Sequence, residues 1–368
     1  MNFKLHILDS MTVDDIKAVF LGMPENVTSL DLSDSEFNDT FTIDDFKKIF
    51  DLIPDSVTSL DWSSNCGGYF IDPTLAEIVA LIPATVRSLN LSNNSLYSIV
   101  GDGLAQVFAA LPESVTSLDL SGNDFGNPVS PELAFDLSSI PASVISLNLS
   151  QNQFGGTPGG LFKAIFSSIP ASVASLDLSQ NDLGWAIKQE EAEDSDLQEE
   201  AEWSDLDVAF AGIRAGVTFL NLSNNDLGSI PSDVLAQIFS SIPNSVTSLD
   251  LSANNFGSRP AAELGRLADC FEQIRGLTLS LDEIMTMTPA HRSAIRRMFP
   301  FIESPNIIFL DEDGKKLARI HTISVLSLLG FPPTLQAWCV LSLFRAGIKP
   351  VEGEVPDCVL SDIRSFAQ

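Results

Sequence analysis

Catalysis needs particular side chains at recognisable spacings, and this chain holds few of them. Its three histidines, His6, His291 and His321, have no recognisable partners. No phosphate-cradling GxxxxGK[ST], zinc-binding HExxH or nucleophile-elbow GxSxG occurs. DEDGKK, from residue 311, has the look of a calcium loop, but setting Gly314 at its sixth position puts Phe309 first and Ile320 last, where carboxylates are needed. It is read instead as a hairpin turn. Arg292, Arg296 and Arg297, with Ile295 and Phe299 interleaved, suit a solvated helix face; acidic neighbours or a phosphate are the alternatives.

One polar series does recur. Asp31, Asp61, Asn90, Asp119, Asn148, Asp177, Asn221 and Asp250 each have serine two residues to either side, except that Phe219 replaces the serine before Asn221. From Asp61 to Asp250 the series alternates strictly between Asp and Asn. The chemistry on offer is charge and hydrogen bonding, arranged for binding.

The elements that position this series are a repeated segment. VTSLDLS or a near copy begins at 27, 57, 86, 115, 144, 173, 217 and 246, with a degenerate IRGLTLS at 274. The spacings are 30, 29, 29, 29, 29, 44, 29 and 28 residues, so one supersecondary unit is stacked many times. Leu176 and Leu178, two apart, share one strand face, which leaves Ser175, Asp177 and Ser179 for the other. Apolar stripes such as Leu104, Val107, Phe108 and Leu111, or Leu235, Ile238, Phe239 and Ile242, predict one amphipathic helix per unit.

Asn65, Asn94, Asn123, Asn152, Asn181, Asn225 and Asn254 recur where the chain turns, with Ser35 in their place in the first repeat. Their amides suit a structural ladder, bonding backbone groups of neighbouring coils that burial would otherwise leave unpaired. Prolines 24, 54, 83, 112, 141, 170 and 243 stand three residues before the repeat valine and close the preceding helix.

Val173, Leu176, Leu178 and Asn181, followed by Leu183, fill the pattern LxxLxLxxN, and the unit is 29 residues long. This resembles the leucine-rich repeat family, in its ribonuclease-inhibitor-like class, over roughly residues 23 to 280. The resemblance implies an α/β solenoid, a horseshoe with parallel strands on the concave face, helices on the convex face and a mainly helical C-terminal cap. The organisation expected is a capping strand and helix over 1–22, repeats over 23–280 and a capping or accessory domain over 281–368.

Parallel strands lie about 4.8 Å apart, so an unbroken aspartate column would stack like charges at that distance. Alternation doubles the separation to roughly 9.6 Å, close to the Debye length in physiological salt, and lets each Asn donate to the carboxylates on either side. Stability alone could therefore account for it. Calcium needs oxygens within about 2.5 Å, so carboxylates on alternate strands cannot share an ion.

Asp and Glu outnumber Lys and Arg by 49 to 20, a net charge of -29. Nucleic acid is an unlikely partner for such a chain, because phosphate contacts need clustered cations. Residues 1–256 hold 36 acidic and 8 basic side chains against 13 and 12 in the remainder. Cys66, Cys270, Cys339 and Cys358 form no CxxC pair and read as reduced thiols, with no cofactor or metal implied. MNFKLHILDSMTVDDI lacks the apolar run of a secretory signal, so export is expected by another route.

The long spacing between Val173 and Val217 carries ten carboxylates from Glu190 to Asp207, within an insertion at about 188–207 flanked by Trp185 and Trp203. A solvated insertion and a dock for a basic partner are both open readings. Beyond 281 the repeat stops: 281–299 reads as helix, NIIFLDEDGKKL as strand and turn, and the remainder as helices. The uncharged run 320–344 is broken by Gly330, Pro332 and Pro333, which favours a buried hairpin over a membrane span. Some bacterial leucine-rich repeat proteins carry a C-terminal ubiquitin ligase with a Cys-x-Asp nucleophile; here both C-terminal cysteines read CVL, which argues against one.

The near-consensus IPxSVxSLDLSxNxFG repeats resemble the leucine-rich repeat effectors that intracellular bacterial pathogens deliver into host cells. The expectation is a non-enzymatic scaffold without cofactor, secreted without a signal peptide into the host cytosol, or otherwise cytoplasmic. Its partner would be a protein with a basic surface, held on the acidic concave face, with Phe219 as the aromatic anchor. Repeats delivering a small catalytic tail module, or an adaptor bridging two partners, are the alternatives.

Overall fold

The computed structural model describes residues 1–184, 206–317 and 325–330, apart from 9, 36, 38–40, 66–73, 100, 127–129, 269, 304–305 and 327. Nearly all of the acidic insertion, Trp185, Trp203, Cys66, Cys339, Cys358, His321 and most of the 320–344 run lie outside the described residues. The described chain divides into two compact units, Met1–Asn225 with Ser241–Val246, and Asp226–Ser240 with the described residues from Thr247.

Each strand that carries the Asp or Asn is only three residues long, because that side chain at its third position turns the chain immediately afterwards. The first unit holds β1 (Asn2–Lys4), β2 (Ser29–Asp31), β3 (Ser59–Asp61), β4 (Ser88–Asn90), β5 (Ser117–Asp119), β6 (Ser146–Asn148), β7 (Ser175–Asp177) and β8 (Phe219–Asn221). Each pairs in parallel with the next in sequence. In the second unit β9 (Ser248–Asp250), β10 (Gly276–Ser280) and β11 (Ile307–Leu310) do the same. The sheet therefore continues past residue 281, where the repeat motif stops.

Helices return the chain between strands: α1 (Val13–Leu21), α2 (Ile43–Phe50), α3 (Thr74–Val79), α4 (Gly103–Ala109), α5 (Leu133–Leu137), α6 (Gly159–Ser168) and α7 (Leu206–Phe210). Then come α8 (Ser232–Ser241), α9 (Ala261–Leu264), α10 (Leu281–Thr286) and α11 (Pro289–Met298). The apolar stripes point inward as expected: Leu104, Val107, Phe108, Leu235, Ile238 and Phe239 are all buried. The strand leucines from Leu30 to Leu249 meet them from the other layer. Before seven of the repeat strands the valine N–H donates to the carbonyl of the proline three residues back, at 2.9–3.2 Å, and at Val217 the acceptor is Arg214 O at 3.1 Å. This is the α/β solenoid architecture expected from the repeat.

The asparagines form the predicted ladder. From Asn65 to Asn225 each Oδ1 accepts the backbone N–H of the equivalent residue one coil earlier, as in Asn123 N to Asn152 Oδ1 at 2.9 Å and Asn152 N to Asn181 Oδ1 at 2.7 Å. From Asn65 to Asn225 each Nδ2 donates to the carbonyl after the preceding strand, such as Asn181 to Leu149 O at 2.9 Å. Ser35 stands in at the first repeat, its hydroxyl accepting the Ile7 N–H at 3.1 Å while its own N–H donates to Asn65 Oδ1 at 2.7 Å.

Beyond the repeats, α10 and α11 match the helical reading of 281–299. The DEDGKK segment is a hairpin turn, closed by the Leu310–Lys316 antiparallel bridge and by Gly314 N donating to Asp311 O at 2.9 Å. Gly314 has φ +72°, the left-handed region that favours glycine. Arg292 and Arg296 satisfy backbone carbonyls: Arg292 Nη2 donates to Met287 O at 2.7 Å and Arg296 Nη1 to Phe299 O at 2.8 Å. Those two guanidiniums are thus engaged in holding helix ends. Among the described residues no helix is long and apolar enough to cross a membrane, and no group of His, Cys, Asp and Glu is placed to hold a metal ion.

Candidate functional site

Strand alternation presents two polar columns on the face of the first unit opposite the leucines. One runs Asn2, Ser29, Ser59, Ser88, Ser117, Ser146, Ser175 and Phe219, and the other Lys4, Asp31, Asp61, Asn90, Asp119, Asn148, Asp177 and Asn221. From Asp31 to Asn221 the second column is half-buried. The second unit places Asp250 in register with Thr278, and Asp250 is buried at 8% exposure. A buried carboxylate offers little surface to a partner, so the accessible acidity on this face lies in the first unit.

The column has a structural task that its spacing alone did not reveal. Every member accepts the backbone N–H of the serine two residues on, at 2.8–3.0 Å, from Asp31 with Ser33 to Asp250 with Ser252. This side-chain turn ends each strand, and Asp and Asn perform it equally because both carry an Oδ1 acceptor. The second serine of the motif is drawn in with it. Ser33, Ser63, Ser92, Ser121, Ser150, Ser179 and Ser252 are buried and do not share the open face, as alternation through Ser179 had predicted.

Alternation operates through directed bonds. Asn148 Nδ2 donates to Asp119 Oδ2 at 3.0 Å and Asn221 Nδ2 to Asp177 Oδ2 at 2.8 Å, in both cases towards the preceding strand. The expected bond to both neighbours does not form, because each Asn Oδ1 is held by its own serine N–H and the amide then faces one way.

The repeat motif alone does not single out Lys4. The capping strand β1 brings it into register with Asp31, with Nζ 3.1 Å from Asp31 Oδ2 and 3.0 Å from Ser33 Oγ. Partial burial pushes the Asp31 carboxyl up, but the Ser33 hydroxyl and N–H and the Lys4 ammonium together hold it below its ordinary value. Asp31 and Asp61 are the one adjacent aspartate pair in the column, and Lys4 offsets it. The signal was available: NFKL aligns with SLDL once the first strand is counted as a degenerate repeat. Lys4→Gln is expected to raise the Asp31 pKa in an NMR titration while costing no more than about 0.5 kcal/mol, since the pair is open to solvent.

Phe219 interrupts the serine column of β8 and is half-buried, its backbone N–H donating to Ala174 O at 3.0 Å. It is the one aromatic side chain among the two columns.

Short parallel strands, an asparagine ladder and one returning helix per repeat define a leucine-rich repeat protein. Two family models for the leucine-rich repeat match it, at residues 112–128 and 216–237. Among solved structures the chain is similar to the leucine-rich repeat-containing protein LegL7 from Legionella pneumophila, at 35% identity over 89% of this chain and 96% of that one, with a TM-score of 0.74. The chain belongs to the leucine-rich repeat family. No curated protein matches it. Repeats of this family generally mediate protein–protein interaction, and their fold is typically non-catalytic.

Proposed function

We propose that this protein is a non-enzymatic, secreted bacterial effector that binds a basic surface of a host protein in the host cytosol. The observation that carries the reading is the open face of the first unit. There Asp61, Asp119 and Asp177 stand half-buried, with Lys4 the single cation in their column. Part-burial strengthens each charge relative to one in bulk water, and the net charge of -29 adds long-range attraction for a cationic partner. Phe219 supplies an aromatic anchor beside the polar field. The effector part of the reading rests on the repeat consensus and on the likeness to the Legionella protein.

The test is capture from host lysate by the wild-type chain and by a triple variant, Asp61→Asn, Asp119→Asn and Asp177→Asn. Asn90, Asn148 and Asn221 already make the same serine turn, so the substitutions remove charge and keep the strand ends. A captured partner is expected to bind the triple variant about tenfold more weakly, and the deficit should shrink as salt is added. Partners held equally by both would place the interface elsewhere. Phe219→Ser, which restores the serine of the other repeats, is expected to weaken the same partner at least tenfold with little change in thermal stability.

A further inference from the structure

Away from the strand face, the first unit has a cleft of 290 Å³ between the 3-10 turn Leu96–Ser98, α4 and α5. Leu96, Leu104, Phe125 and Leu133 give it apolar walls, and Tyr97, 45% exposed, stands on its lining. Two carboxylates share the lining, Glu132 and Asp136, with no Lys or Arg among the lining residues. Asp136 is 4% exposed and accepts the Ala105 N–H, an otherwise free donor in the first turn of α4. Its other oxygen, Oδ1, is buried with no hydrogen-bond partner. A buried acceptor without a donor is costly, and an acid inside an apolar cleft calls for a cation that can shed its water.

We propose that this cleft binds an aliphatic primary ammonium: the carbon stem lies against Leu96, Leu104, Phe125 and Leu133, and the head group donates to Asp136 with Glu132 beside it. The volume is at the small end of ligand pockets, which run from about 300 Å³ upward, and suits a short chain over an aromatic metabolite. Tyr97 adds a ring against which a cation can rest. A free alkylamine and the side chain of a lysine present the same chemistry to this site.

Burial pushes the Asp136 carboxyl up to about 6; the Ala105 N–H opposes this, while Glu132 and Asp102 reinforce it. The charged form that attracts an ammonium is therefore the majority form only above about pH 6, and affinity should rise through that range. The groups facing Asp136 are Glu132 on its own helix, Asp102 at the start of α4 and Tyr97 on the adjacent turn.

The experiment titrates the full chain with n-pentylammonium, with acetyl-Gly-Lys-Gly-amide and with neutral n-pentanol, read by calorimetry at pH 5 and 7.5. Saturable binding of either amine at pH 7.5, at least tenfold weaker at pH 5 and in Asp136→Asn, supports the site. Which amine binds identifies the source. Equal binding of pentanol, full affinity in Asp136→Asn or no saturation by either amine overturns it. Asn at 136 still accepts the Ala105 N–H, and Glu132→Gln, expected to weaken binding about threefold, tests the charge requirement independently. Neither arm depends on the strand-face reading.

Discussion

Asn152→Ala is expected to lower the stability of the first unit by about 4 kcal/mol, measured by urea denaturation of the full chain. Asn152 is wholly buried and its side chain makes five hydrogen bonds. Its Oδ1 accepts from Asn123 N at 2.9 Å and Phe125 N at 3.4 Å, and its Nδ2 donates to Leu120 O, Leu149 O and Ser150 O at 3.0–3.1 Å. Alanine leaves two buried N–H groups without acceptors, each costing about 1–3 kcal/mol, and removes a donor from three carbonyls. A single water makes at most about four hydrogen bonds and so cannot replace all five. Because a solenoid holds together through nearest-neighbour contacts, a broken central rung should also make unfolding less cooperative, with a shallower slope. The same change at Asn65 should cost less. Among the described residues its side chain makes two bonds against five, accepting from Ser35 N and donating to Leu32 O. An Asn152→Asp variant keeps the acceptor but buries a charge, so its penalty should grow as pH rises above the carboxylate range.

Much of this fold is legible in the sequence, because a repeat declares its own register. The strand leucines, the helix stripes, the asparagine ladder and the proline turns all depend on periods of two, 3.6 or 29, and periods survive in one dimension. What did not survive was direction. Nothing in SLDLS indicates that the aspartate folds back on the next serine, so Ser179 was placed on the open face when it is buried. The open-face column likewise included Asp250, whose β10 neighbour Thr278 belongs to a degenerate copy; burial there depends on packing that the motif does not encode. Asp136 was invisible because it lies in a helix outside the motif, and its environment is made by a turn some 40 residues earlier in the chain. The candidate binding face was therefore legible as a column of side-chain types. Which members are accessible was a matter of three dimensions.

Glu283→Ala is expected to destabilise the second unit by about 3 kcal/mol, seen as lost hydrogen-exchange protection at Asn254 and Phe256. Glu283 lies 29 residues after Asn254, one repeat length, where the ladder would place its next asparagine. Its carboxylate does that work: Oε2 accepts the Asn254 N–H at 3.3 Å and Oε1 accepts the Phe256 N–H, with the Gly257 N–H adding a third bond. A carboxylate has no donor to offer a further coil, so it can end the ladder where an amide would continue it. Burial raises the Glu283 pKa above its ordinary 4.5 despite those three bonds. The sign follows: the protonated form is favoured in the folded unit, so this group's contribution is full below about 4.5 and is lost as pH rises through the raised value. Glu283→Gln keeps one acceptor and removes the titration. It should fall between wild type and the Ala variant at pH 7, about 1–2 kcal/mol below wild type, while flattening the pH dependence of the second unit. A Gln variant as unstable as the Ala variant at pH 7 would mean that the terminal rung needs the charge itself, and that the ladder is closed by electrostatics as much as by geometry.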